Sequence, residues 1–247
     1  MTKRKKSWDL KKLTSEQKVL RQRILELSHK QHLSHLGSCL TAVDLIDIVY
    51  KIKKPEEKFI LSNGHAALAL YAVLEKNGFI KDSSILKKLH VHPDQNPKID
   101  IHVSTGSLGQ GLPIALGIAM ADRNKNVYCM ISDGESTEGS IWESLRIVSD
   151  YRVSNLKIIL NANGWGAYSS IPTNPLKKRL KAFGCRVVEV NGHDTTAIAK
   201  ALTQNTNRQL LVLAHTVVEQ FPFLKGLDAH YYIMSKQDFI DASSTLN

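Results

Sequence analysis

The chain has 247 residues, 43% hydrophobic and 23% charged, which suits a globular protein and is long enough for one substantial α/β domain. Its formal charge is +10, but the Lys and Arg are spread out and not interleaved with aromatics, so the pattern favours an anionic small substrate or an acidic partner over nucleic acid. No apolar run approaches the roughly 18 residues that span a bilayer, the basic start lacks the apolar core of a signal peptide, and Cys39, Cys129 and Cys185 form no metal or redox spacing, which fits a reducing cytoplasm.

Residues 1–12 read as a basic tail and 13–247 as a single domain. Thr14 and Gln17 have capping-box spacing, and Leu20, Ile24 and Leu27 recur at helical period, which predicts a helix over 15–30. The run His29 to Gly37 breaks it. Three histidines in seven residues suggest a metal site, but histidine after a helix more often faces solvent or caps the helix end, and His29 and His32 are read that way. Thr41 is placed to cap a second helix through Tyr50, with Pro55 barring its continuation. Phe59–Leu61 reads as a short strand delivering Ser62-Asn63-Gly64-His65-Ala66, and a helix then runs to about Asn77, closed by Gly78. A short helix over 83–89 precedes His90-Val91-His92-Pro93-Asp94. Three glycines in Ser104-Thr105-Gly106-Ser107-Leu108-Gly109-Gln110-Gly111 open an apolar helix to about Asp122. Such a turn lets backbone N–H groups approach a ligand, or simply lets a helix pack closely.

An apolar strand over 127–131 then runs into Asp133-Gly134, and a second over 156–161 runs into Asn163-Gly164-Trp165. If the strands are parallel, both side-chain oxygens lie at the carboxyl edge of one sheet, where open α/β folds bind ligands. One carboxylate, one amide oxygen and a backbone carbonyl, with room for phosphate oxygens, suit Mg²⁺. A lone Asn-Gly is otherwise an ordinary turn. Beyond it come a strand over 186–190, Asn191-Gly192-His193-Asp194, a helix over 195–204, a strand over 209–214 and a terminal helix from Ser235. His193 is read as architectural. The alternation of strands and helices predicts an α/β fold, a mostly parallel sheet with helices on both faces.

Taken together, these motifs resemble the transketolase family, in its N-terminal, thiamine diphosphate-binding half. Asp133-Gly134 followed by Asn163 resembles the family's metal motif. His35-Leu36-Gly37-Ser38, Ser62 to Ala66, His92-Pro93, the glycine run 104–111 and Glu138-Gly139 with Trp142-Glu143 match family motifs in the same order, so the resemblance covers residues 15–235. It implies the thiamine diphosphate-binding fold, with thiamine diphosphate and Mg²⁺ (or Ca²⁺ or Mn²⁺) as cofactors. The metal would be held by Asp133, Asn163 and the main-chain oxygen of Trp165. The cofactor pocket would draw on His65, Gly106, Ser107, Leu108, Asp133, Gly134, Glu135, Glu138 and Asn163. His35, His65, His92 and, from Ala229-His230-Tyr231, His230 are the catalytic candidates, because imidazoles move protons near neutral pH. Glu138 is implied to support the site across a subunit interface, and it serves equally well as a helix-dipole glutamate. Ser34 and Ser132 stand where the family has glycine, and a side chain at 132 is expected to crowd the diphosphate. His215-Thr216-Val217-Val218-Glu219 stands where the family has Lys-Thr-x-Lys-Gly.

In the family a further half binds the aminopyrimidine ring and supplies its activating glutamate, and this sequence shows no match to it. The resemblance therefore implies the N-terminal subunit of a split transketolase, moving a two-carbon ketol unit from a ketose phosphate to an aldose. It implies a separate C-terminal subunit, self-association across a dimer interface, and a heterotetramer; the charge pattern and the lack of a long apolar run argue separately against nucleic acid and membrane as partners. Two other readings stand beside it. One is a different thiamine diphosphate enzyme, deoxyxylulose-phosphate synthase-like or acyloin-forming. The other is a catalytically silent scaffold subunit.

Overall fold

A computed structural model describes residues 10, 12–88, 90–206 and 208–246, so residues 1–9 and 11 of the expected basic tail lie outside it. Helix α1 (Ser15–Gln31) begins at the expected capping box: Thr14 Oγ1 accepts the Gln17 N–H at 3.3 Å, and Gln17 Oε1 accepts the Thr14 N–H at 3.0 Å. Helix α2 (Leu36–Ile52) starts earlier than Thr41. Thr41 lies inside it, its hydroxyl donating to the Ser38 carbonyl at 2.9 Å, and His35 takes the cap position in the left-handed region at φ 65°. The helix is buried on nearly every side from Leu36 to Tyr50, so it lacks the polar-to-apolar contrast that marks a helix start.

The chain continues through β1 (Lys58–Leu61), α3 (Ala67–Lys76), α4 (Gly111–Ala121), β2 (Val127–Ser132), α5 (Gly139–Asp150) and β3 (Leu156–Ala162). It closes with α6 (Thr173–Ala182), β4 (Arg186–Asn191), α7 (Thr195–Leu202), β5 (Leu210–His215) and α8 (Lys236–Leu246). Helix α6 escapes sequence reading because it buries only Leu176 and Leu180, too few apolar positions for a period.

The strands lie in the order β1-β2-β3-β5-β4, and each adjacent pair is parallel. Alternate strand residues feed two cores. Phe59, Leu61, Tyr128, Met130 and Val212 pack with α1, α2, α3, α7 and α8. Ile60, Cys129, Ile131, Ile158 and Leu211 pack with α4, α5 and α6. The sheet is thus covered on both faces, which forces ligand access to its edges. Register pairs Ser132 with Asn161, so Asp133 and Asn163 both follow the carboxyl ends of the two neighbouring strands β2 and β3.

One buried polar cluster braces this frame. Asp44 of α2 accepts an N–H from each terminal nitrogen of Arg21, at 2.9 and 2.7 Å, and His193 Nδ1–H at 2.8 Å. His193 Nε2 accepts the Val217 N–H at 3.0 Å, which fixes that tautomer. His193 is therefore part of the architecture, as its sequence context predicts. The three cysteines are free and buried, and no described helix is long and apolar enough to cross a membrane.

Candidate functional site

A cavity of about 150 Å³ opens at the carboxyl edge of β1, β2 and β3. His35, His65, His92 and His230 all line it, although they come from four separated segments. The His35 ring centroid lies 5.5 Å from that of His65, 6.4 Å from His92 and 5.2 Å from His230. Local structure aims each ring. His35 sits at the start of α2, its N–H donating to the His230 carbonyl at 2.9 Å. His65 follows β1 within the short turn Gly64–Ala66. His92 packs against Gly106, where an added Cβ would approach the imidazole to 2.8 Å, and Gly106 itself holds φ 149°. Only glycine tolerates both the conformation and the contact. An added Cβ on Gly64 would meet the Thr105 carbonyl oxygen at 2.7 Å, so the two loops close on one another through these glycines.

Burial favours the neutral imidazoles. It brings His65 down to about 3 and His35 to about 4, with neighbouring histidines adding to the effect, and it lowers His230 as well. Neutral rings can both accept and donate a proton at a bound hydroxyl.

Asp133 stands between the lining residues Ser132 and Gly134, is not itself part of the lining, and is 1% exposed. Its oxygens accept the Gly134 N–H at 3.1 Å and the Gly164 N–H at 2.7 Å, and no cation among the described residues forms an ion pair with it. Burial outweighs those two donors and raises the carboxyl to about 7. Asn163 lines the cavity, and its Oδ1 accepts the Trp165 N–H at 2.9 Å. An added Cβ on Gly134 would lie 3.8 Å from the Trp165 carbonyl oxygen, so that oxygen faces the same turn. A buried carboxylate without a counter-cation, an amide oxygen and a main-chain oxygen at one strand edge form a donor set that fits a hard divalent cation.

Glu135 is fully buried and acts as a strut. Oε1 accepts the Ser62 hydroxyl at 2.5 Å and the Gly109 N–H at 2.9 Å, while Oε2 accepts the Ser132 N–H at 2.8 Å. It ties the β1 loop and the glycine run to the end of β2. Gly106, Leu108 and Gly134 line the cavity, whereas Ser107 is exposed outside the lining. Glu138 stands at the start of α5 beside Gly109, half-buried and also outside the lining. Gly166, Ala167 and Tyr231 line the cavity as well, and no sequence pattern singles out the first two. The Tyr231 hydroxyl donates to the Ala167 carbonyl at 2.9 Å, and its position directly after His230 is the available signal.

Residues 23–230 match the thiamine diphosphate-binding domain of transketolase. The chain belongs to that family. Transketolase from Pongo abelii is 34% identical over 206 residues, covering 74% of this chain and 33% of its own length, so this chain spans about a third of that relative. One subunit of the apulose-4-phosphate transketolase of Actinobacillus succinogenes is 27% identical over 257 residues and is covered to 93%, as is this chain. Among solved structures, a Pichia stipitis transketolase mutant aligns over 95% of this chain and 41% of its own, with a TM-score of 0.82 and 24% identity. The transketolase of Leishmania mexicana aligns with a TM-score of 0.83 at 20% identity, over 95% of this chain and 42% of that one. These last two share the fold.

Proposed function

We propose that this chain is the diphosphate-binding subunit of a two-chain transketolase, which moves a two-carbon ketol unit from a ketose phosphate to an aldose. The observation that carries this reading is the convergence of four imidazoles on one cavity beside the Asp133–Asn163 edge. Asp133, Asn163 and the Trp165 carbonyl would hold Mg²⁺, with Ca²⁺ or Mn²⁺ as substitutes. Bound thiamine diphosphate supplies the carbanion chemistry that breaks and remakes the ketose carbon–carbon bond. His65, Gly106, Leu108, Gly134 and Glu135 would shape or brace its seat, with Ser107 and Glu138 at its margin. Neutral His35, His65 and His230, with His92 beside them, would pass protons to and from sugar oxygens.

The cavity is smaller than the roughly 300 Å³ at which pockets begin to enclose a drug-sized ligand, which supports a further surface completing it. A relative that matches nearly end to end is itself named as one subunit of a transketolase, which supports a separate pyrimidine-binding chain as that surface. Self-association within a heterotetramer is supported by α4, which carries no charged residue and exposes Ile114, Gly117 and Met120. We place the assembly in the cytoplasm, which suits three free cysteines. The test is a two-carbon-transfer assay with thiamine diphosphate and Mg²⁺, on this chain alone and mixed with its candidate partner chain. Activity in the mixture only is expected. A mixture that binds the cofactor yet transfers nothing would leave a scaffold.

A further inference from the structure

Ser132 ends β2 and brings a hydroxyl to the cavity lining between the Asp133–Gly134 turn and the Asn163 turn. Its backbone N–H is engaged by Glu135 Oε2 at 2.8 Å, and its Oγ accepts the Glu135 N–H at 3.3 Å. The hydroxyl proton has a much poorer partner. The one hydrogen bond it donates among the described residues goes to Glu135 Oε2 at 3.5 Å, far beyond the usual 2.7–2.8 Å for O–H···O. Glu135 gains little from that contact, because each of its oxygens already accepts a shorter bond.

A second observation places Oγ beside the same turn. The space that Gly134 leaves open for want of a Cβ is bounded by the Gly166 Cα, by Ser132 Oγ at 3.7 Å and by the Trp165 carbonyl oxygen at 3.8 Å, each measured from an ideal Cβ. Ser132 Oγ thus borders the same small volume as a proposed metal ligand, with its acceptor side used internally and its proton held only by the long contact to Glu135. A phosphate oxygen entering that volume would meet a neutral donor held by the strand end.

We propose that the Ser132 hydroxyl donates a hydrogen bond to a phosphate oxygen of thiamine diphosphate, making Ser132 a binding residue for the cofactor. This rests on the cofactor reading above and reverses the sequence expectation that a side chain here crowds the diphosphate. A donor to a charged oxygen is a stronger contact than a neutral pair.

The test is calorimetric titration of the chain, and of its complex with the partner chain, using thiamine diphosphate with Mg²⁺ and, separately, unphosphorylated thiamine. Ser132→Ala is expected to weaken thiamine diphosphate about 10- to 100-fold, the range for a lost bond to a charged group. Thiamine binding should be unchanged, and Ser132→Thr should restore most of the loss. A fall in thiamine affinity matching that for the diphosphate would assign the effect to a disturbed Glu135 strut and overturn the proposal. So would unchanged or tighter diphosphate binding by Ser132→Ala or Ser132→Gly, the mark of an obstacle. Wild-type protein and complex that bind no thiamine diphosphate would sink the cofactor reading itself, whereas wild-type binding with indifferent variants would sink only the role of Ser132.

Discussion

Asp44 and Asp133 are each about 1% exposed, and the fold treats them oppositely. Burial would raise both. At Asp44, the Arg21 guanidinium and His193 overcome it and hold the carboxyl below its usual range. At Asp133 two backbone N–H groups are too weak to do so, and the carboxyl rises to about 7. A buried carboxylate with its cation built in is a brace. One without is a costly group that the chain retains at a ligand-accessible strand edge, which is where an external cation would neutralise it. The two clusters also differ in their histidines. His193 has both ring nitrogens engaged by protein, whereas His35, His65 and His230 turn toward a cavity.

The largest expected effect separates the two aspartates by ligand binding. Asp133→Asn should weaken Mg²⁺-dependent thiamine diphosphate binding by more than about 100-fold, since even groups that merely support a metal ligand cost 10- to 100-fold. Calorimetric titration reads this directly. The metal-free variant should remain folded, because an amide is easier to bury than an unpaired carboxylate. Retained metal-dependent binding would mean that Asp133 is not the site of the cation.

Next comes the brace. Arg21→Leu leaves Asp44 buried without its guanidinium, a change that typically costs about 3–5 kcal/mol, so urea unfolding should show a loss of that size. Cofactor affinity, measured on the folded fraction, should change little, because neither Arg21 nor Asp44 lines the cavity. Loss of binding out of proportion to the loss of fold would break the division between brace and site.

Much of this division is legible in the sequence, and the reasons differ by region. Strands β2 and β3 are visible as apolar runs, and the spacing of Asp133 and Asn163 becomes informative once two parallel strands are assumed. His193 reads as architecture from its place after a strand. Its partners do not, because Arg21, Asp44 and His193 are far apart in the chain and meet only through packing of α1 and α2 against the β4–α7 turn. The start of α2 is hidden because burial on all sides erases amphipathic contrast. Ser132 stands out in sequence only as a residue of the wrong size. Its value as a donor depends on which bonds Glu135 already accepts, which no linear pattern records.

The smallest expected effect concerns the cavity histidines and sharpens the contrast with His193. In the unfolded chain a histidine takes a proton near 6.5, whereas His65 stays neutral down to about 3 and His35 down to about 4. Between those values the unfolded state holds more protons than the native state, so stability falls as pH falls. The loss begins below about 6.5 and ends as each folded-state histidine finally protonates. One such group changes stability by about 1.4 kcal/mol per pH unit when fully in that window. His65→Gln removes one proton from the difference, so the slope of urea-unfolding stability between pH 6 and pH 4.5 should drop by about that amount while stability at pH 8 moves much less. An unchanged slope would show that His65 is protonated in the native cavity at mildly acid pH, and the neutral proton-relay role assigned to it would fail with that result.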